Sequence, residues 1–137
     1  MDENHEPDAT VLVTGGSRGI GRAVAERLLQ DGYQVVNFDI AAPATRLPGE
    51  TYVAVDLSDA AATRAAVADL TATRSVLRLV NNAGIVRPAL VEDATPEDLA
   101  AVVAVNLQAP LLLMQGLLPA MRAAKFGRVI NIASRAA

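Results

Sequence analysis

The 137-residue chain has no cysteine and no tryptophan, a single histidine (His5), a single lysine (Lys125) and only 3% aromatic residues. Without cysteine there can be no disulfide framework, no thiolate nucleophile and no thiolate-ligated metal. One histidine in a polar tail leaves no His/Asp/Glu group with metal-ligand spacing. Basic residues number 12 against 15 acidic ones, a formal net charge of −3. No basic stripe is therefore offered to the phosphates of a nucleic acid. Apolar runs stop short of the roughly 18 residues that suggest a membrane span, because Arg, Gln, Asn or Pro interrupts them. The N-terminus, Met1 to Asp8, is acidic rather than a basic export leader. The expectation is a flexible polar tail over residues 1–8, one domain over 9–137, and a cytoplasmic protein with neither nucleic acid nor membrane as partner.

The 52% hydrophobic content is carried mainly by Ala, Val and Leu, which suits parallel strands covered by helices on both faces. Apolar strand-like runs fall at 9–14, 34–39, 51–55, 76–81 and 128–133. Between them lie segments of helical periodicity at 22–31, 59–71 and 107–125. Gly32 is placed to stop the first helix, Ser58 to cap the second, and Gly127 to break the last. Thr95-Pro96-Glu97-Asp98 marks a further helix start, with threonine as cap, proline at the first helical position and Asp98 closing the box. Residues 41–50, with Pro43, Pro48 and Gly49, read as loop or a poorly formed short helix. Pro110 is tolerable near a helix start, whereas Pro119 is expected to bend its helix. Met114 and Met121, seven residues apart, read as one packed helix face. Alternating strands and helices with ample crossovers imply an α/β fold, a Rossmann-type doubly wound parallel sheet.

Between the first strand and helix lies Thr14-Gly15-Gly16-Ser17-Arg18-Gly19-Ile20-Gly21. A glycine triplet alone is a weak signal, and a tight structural turn would explain it. In a strand–turn–helix setting it acquires a physical meaning. Gly15 lets the chain turn, Gly19 clears space for a pyrophosphate, and Gly21 permits close strand–helix packing. Amides at the helix start then attract the anion. Asp39, ending the second strand, is placed to accept hydrogen bonds from ribose hydroxyls and to repel a 2′-phosphate, which favours NAD over NADP. Arg18 is the competing signal, either a 2′-phosphate partner or an exposed loop residue. Asp56 is placed to accept an adenine amino hydrogen bond or to cap a turn.

In combination these residues resemble the short-chain dehydrogenase/reductase family. The glycine turn, Asp56-Leu57, Asn81-Asn82-Ala83-Gly84, Val105-Asn106 and Ile130-Asn131-Ile132-Ala133-Ser134 match its motifs in order, from about Thr10 to the last residue. The resemblance implies sheet order 3-2-1-4-5, with two further strands in a complete member. It implies a cofactor lined by Gly15, Ser17, Arg18, Gly19, Ile20, Gly21, Asp39, Asp56, Leu57, Asn82, Ala83, Gly84, Val105 and Ile132. Ile20 would border the pyrophosphate or nicotinamide side and Ile132 the nicotinamide end, although both could equally be core residues. Ser134 would hydrogen-bond the substrate, or simply cap the next element. Asn106 would position a water in a proton relay, or satisfy local backbone.

The implied reaction is hydride transfer between NAD(P)(H) and a small carbonyl or secondary alcohol, by a dimer or tetramer associating through the long helix. The family's acid/base is a tyrosine in Tyr-x-x-x-Lys, beyond the serine, and its phenol needs a lowered pKa to work near neutrality. Neither Tyr33 nor Tyr52 has a lysine four residues on. The chain is therefore expected to be the cofactor-binding portion of such an enzyme, ending after its fifth strand. The alternative is a catalytically incomplete NAD(P)-binding or interaction module. Such an ending is expected to leave the fifth strand's edge and an apolar helix face exposed.

Overall fold

In the computed structural model, residues 9–134 are described; the tail at 1–8, with His5, lies outside them. Five parallel strands are joined in the order β3-β2-β1-β4-β5. They are β1 (Thr10–Thr14), β2 (Gln34–Asp39), β3 (Glu50–Ala54), β4 (Val76–Asn81) and β5 (Arg128–Asn131). The doubly wound sheet has its switch point where β1 lies between β2 and β4, with Val13 beside both Asn37 and Val80.

Side chains alternate across the sheet because successive Cβ atoms point to opposite faces. Leu12, Val36, Phe38 and Leu79 pack with Val67 and Leu70 of α2 (Ala60–Thr73), and with Leu113, Leu117 and Met121 of α4 (Ala109–Ala124). Val11, Val13, Val35 and Val80 face Ala25 of α1 (Gly19–Gln30). Full burial of each large apolar side chain contributes about 1.5–3 kcal/mol. All four residues of β5 are exposed.

Several local expectations are corrected. The α2 cap is Asp59, whose carboxylate accepts from Ala62 N at 3.0 Å. Ser58 instead donates its hydroxyl to Asp56 Oδ1 at 2.6 Å. Of the two readings of residues 41–50, the loop holds for 41–49, and Glu50 opens β3. At the next helix the Thr95 cap holds, its Oγ1 accepting from Asp98 N at 3.1 Å and donating to Asp98 Oδ2 at 2.9 Å.

The long helix begins there, at α3 (Pro96–Val103), well before residue 107, and reaches α4 through a π-helical stretch, Ala104–Gln108. Pro110 explains that stretch. It has no N–H for the Asn106 carbonyl, and in α geometry its ring would collide with that carbonyl, so the turn widens. Beyond it α4 continues through Pro119 to Ala124. Met121 is buried and Met114 packs beside the same core, as the seven-residue spacing predicts.

Lys125, not Gly127, reverses the chain after α4, with a left-handed φ of 52°. Phe126 N donates to Met121 O and Lys125 N to Arg122 O, the paired bonds that close a helix on a left-handed residue. A lysine there bears a steric cost that glycine avoids. Lys125→Gly is expected to stabilise the protein by about 0.5–1 kcal/mol, because the relief of strain exceeds the entropy glycine adds to the unfolded chain. A lower urea midpoint for the variant would contradict this.

The continuous Pro96–Ala124 helix has 29 residues and a peak mean hydropathy of 1.7, long and apolar enough by composition to cross a membrane. One side of it lies in the core. On its outside Leu99, Val103, Leu107, Leu111 and Leu118 are exposed.

Candidate functional site

The carboxyl ends of β1 to β4 meet at one edge of the sheet, where doubly wound folds bind ligands. Gly15 leaves β1 with φ 67°, and its amide donates to Phe38 O at 2.8 Å. That bond turns the chain across the end of β2. Gly19, φ 59°, starts α1 with nothing within 4 Å of where a Cβ would stand. A Cβ on Gly21, in contrast, would lie 2.0 Å from Gly15 O and 2.3 Å from Asn82 Nδ2. Glycine is needed at 15 and 19 for backbone conformation, and at 21 for space.

The start of α1 is left open. Its cap residue, Arg18, is extended and makes no side-chain cap bond, and the first turn holds no acidic residue. The first amides of a helix have no intrahelical partners and carry the positive end of its dipole, so this terminus suits an anion.

Thr14 and Asn82 lock the turn to β4. Thr14 is 2% exposed, and its Oγ1 accepts from Asn82 N and Ala83 N at 3.0 and 2.9 Å. Asn82 Nδ2 returns bonds to Thr14 O and Gly15 O at 3.1 and 3.2 Å. Beyond this joint, Asn106 clamps the next loop from both sides. Its Oδ1 accepts from Ile85 N at 2.8 Å and its Nδ2 donates to Ile85 O at 2.9 Å. Asn106 is exposed, not buried as an apolar helix would suggest, and its partner is backbone.

Together these elements border a cleft of ≈ 350 Å³. Among the sequence candidates, Gly15, Arg18, Gly19, Asp39, Asp56, Leu57, Asn82, Ala83, Gly84 and Val105 line it. Phe38, Ile40, Val55 and Ile85 line it as well; in sequence they are indistinguishable from ordinary strand or loop residues. Ser17, Ile20, Gly21, Asn106, Ile132 and Ser134 are not among its lining residues. Ile20 and Ile132 are not core either, at 66% and 42% exposure. Ser134 is exposed three residues beyond β5.

Asp56 forms a turn of its own, with Oδ1 accepting from Ser58 Oγ at 2.6 Å and Ser58 N at 2.9 Å. The serine hydroxyl first, and then its amide, hold the Asp56 carboxyl below the usual aspartate value of 3.8. A lowered pKa means these bonds favour the folded state above the unfolded value, and are lost as pH falls through the folded one. An NMR titration of the Asp56 carboxyl is expected to show a midpoint under 3.8, and Ser58→Ala should raise it. A midpoint unmoved by Ser58→Ala would contradict the assigned cause.

With this geometry in place, comparison with known proteins is decisive. Residues 9–137 match the profile of the short chain dehydrogenase family. The chain belongs to that family. It is 36% identical over 135 residues to sorbitol dehydrogenase of Cereibacter sphaeroides, covering 93% of this chain and 53% of that protein. The 3-oxoacyl (acyl-carrier-protein) reductase of Agrobacterium tumefaciens, solved with NADP, superposes with a TM-score of 0.82 at 34% identity, over 94% of this chain and 54% of that one. A short chain dehydrogenase of Leptospira borgpetersenii, solved with NAD+, gives 0.85 at 27% identity, over 93% and 52%. The chain thus spans about half the length of the relatives it matches.

These neighbours correct the expected preference for NAD over NADP. NADP is bound in the Agrobacterium reductase and in two further similar structures, in one of them at low occupancy, whereas the Leptospira protein holds NAD+. Among these relatives NADP is not the less favoured cofactor. The inference from Asp39 fails for a physical reason too. Its carboxylate already accepts from Ser17 N at 3.0 Å and from Ala41 N at 3.3 Å, so its position serves the turn whichever cofactor binds.

Proposed function

We propose that these 137 residues form an NAD(P)-binding module of the short chain dehydrogenase family that does not by itself complete a reductase site. The observation that carries this reading is the cleft at the sheet's switch point, bounded by the glycine turn, Asp39, Asp56 and Asn82–Gly84. Its parts fit an adenine dinucleotide. The open α1 terminus with Gly15, Gly19 and Gly21 receives the pyrophosphate, and Ser17 holds the turn behind it. Asp39 and Arg18 face the adenosine ribose, Asp56 and Leu57 the adenine, and Asn82, Ala83, Gly84 and Val105 the cleft floor. Ile20 and Ile132 stand toward the nicotinamide end.

A bound nicotinamide would supply or accept the hydride. Ser134 would orient a small carbonyl or alcohol, and Asn106 would hold the loop beside it. The acid/base step needs a Tyr-x-x-x-Lys pair, which these 137 residues do not contain. Self-association through the exposed Leu99–Leu118 side of the long helix, and a cytoplasmic location, complete the reading.

Calorimetry with NAD+ and NADP+ is expected to give one site per chain for at least one of them. No oxidation of NADH or NADPH is expected with a panel of carbonyls. Failure to bind either dinucleotide would refute the module, and turnover would refute its incompleteness.

A further inference from the structure

Asn37 is the one polar residue in the middle of β2 (QVVNFD), and it is 0% exposed. A buried amide side chain is costly unless both its ends find partners. Here both partners come from the glycine turn. Asn37 Oδ1 accepts from Gly16 N at 2.9 Å, and Asn37 Nδ2 donates to Ser17 Oγ at 3.0 Å. The serine hydroxyl in turn donates to Ala41 O at 2.6 Å, and Ser17 N donates to Asp39 Oδ2 at 3.0 Å. The fit at Gly16 is tight: a Cβ there would lie 2.8 Å from Asn37 Oδ1.

This network has a direct bearing on ligand binding. The Gly16 amide is turned inward, and the Ser17 hydroxyl is committed to Ala41, so neither donates to a bound phosphate. The anion is left to the amides further along, at the start of α1, whose placement depends on where Gly16 and Ser17 are held. The same brace fixes the Asp39 carboxylate on the cleft wall. We propose that Asn37 is a positioning residue for dinucleotide binding, a buried brace that sets the phosphate turn and the ribose-facing carboxylate in one arrangement.

This inference rests on the NAD(P)-binding reading above. The test compares the full chain with its Asn37→Val variant, in binding of NAD+, NADP+ and ADP and in amide hydrogen exchange. Wild type is expected to bind at least one dinucleotide, and Asn37→Val to weaken that binding and ADP binding by about tenfold or more. Exchange protection of the Gly16 and Ser17 amides should fall while that of Leu12 and Val13 persists, a local pattern that general destabilisation does not produce. Ser17→Ala cuts the other end of the brace and should weaken binding in the same direction. It should add little on top of Asn37→Val, because the two act as one unit.

Binding by Asn37→Val within about twofold of wild type would overturn the brace while leaving the module intact. So would equal loss of protection across β1. If Asn37→Val does not fold, Ser17→Ala decides alone: unchanged affinity with unchanged Gly16 exchange overturns the proposal. A wild-type chain that binds no dinucleotide removes the module, and the brace's role with it.

Discussion

Gly21→Ala is expected to be the most damaging single methyl addition in the site, costing about 3 kcal/mol or more and abolishing dinucleotide binding. The new Cβ would stand 2.0 Å from Gly15 O, 2.3 Å from Asn82 Nδ2 and 2.7 Å from Gly15 C. No rotamer change can relieve this, because a Cβ moves only with its own backbone. Either α1 must slide away from the turn, or the turn must open and give up the Asn82 bonds to Thr14 O and Gly15 O. Both movements displace the amides that face the cleft. A loss of this size is a large share of the roughly 5–15 kcal/mol that stabilises a typical domain.

Gly19→Ala is the control. Its φ is 59° but its surroundings are empty, so only backbone strain of about 1–2 kcal/mol applies. Urea unfolding of the two variants should separate them clearly. Equal midpoints would show that crowding at Gly21 is not what the glycine relieves.

Arg22→Met is expected to cost about 3 kcal/mol. Arg22 ties α1 to the far edge of the sheet, with Nη1 2.6 Å from Glu50 Oε1 and Nη2 donating to Thr45 O at 2.6 Å. The Glu50 side chain is fully covered, while that of Arg22 keeps 15% exposure. Removing the guanidinium leaves a carboxylate in the interior without its counter-charge, a change that typically costs about 3–5 kcal/mol. The lower end applies here, because water can reach the carboxylate through the space Arg22 vacates. Its Oε2 also still accepts from Leu47 N at 3.0 Å.

Adding Glu50→Gln to Arg22→Met should recover at least half of that loss, about 1.5 kcal/mol, since no net charge then remains buried. Denaturant titrations with an unchanged slope would make the comparison valid. A double variant no more stable than Arg22→Met would show that lost packing of the arginine stem, not the orphaned charge, sets the cost.

What can be read from the sequence divides by the range of the interaction. Strand positions, the glycine turn and the Thr95-Pro96 helix start are legible, because each depends on neighbours a few residues away. Sheet order is implied by family resemblance, and the sheet has that order. Longer-range facts are not legible. Arg22 finds Glu50 across 28 residues, and Asn37 finds the turn across about 20; nothing local distinguishes either residue from an ordinary exposed arginine or strand polar. A lone asparagine between Val36 and Phe38 is the available signal for the second.

Competition between nearby caps hides the outcome at Ser58 and Asp59. Either side chain can cap, and the role falls to Asp59 once Ser58 is drawn back to Asp56. The NAD preference misleads in another way. An aspartate at the end of β2 looks placed for the ribose alone, whereas each oxygen of Asp39 also accepts from the turn, through Ser17 N and Ala41 N. Its presence therefore does not report which cofactor binds.

The π-helical stretch at Ala104–Gln108 also decides how the long helix accommodates its length. A π turn holds about one residue more than an α turn, and each α-helical residue advances the side-chain direction by about 100°. The wider turn spreads its rotation over that extra residue, so Leu113, Leu117 and Met121 keep the core-facing direction that a regular α-helix one residue shorter would give them. The local irregularity is thus a store of length. One residue more than a plain helix needs is taken up there without turning the rod, and the same wide turn carries Asn106, whose side chain holds Ile85.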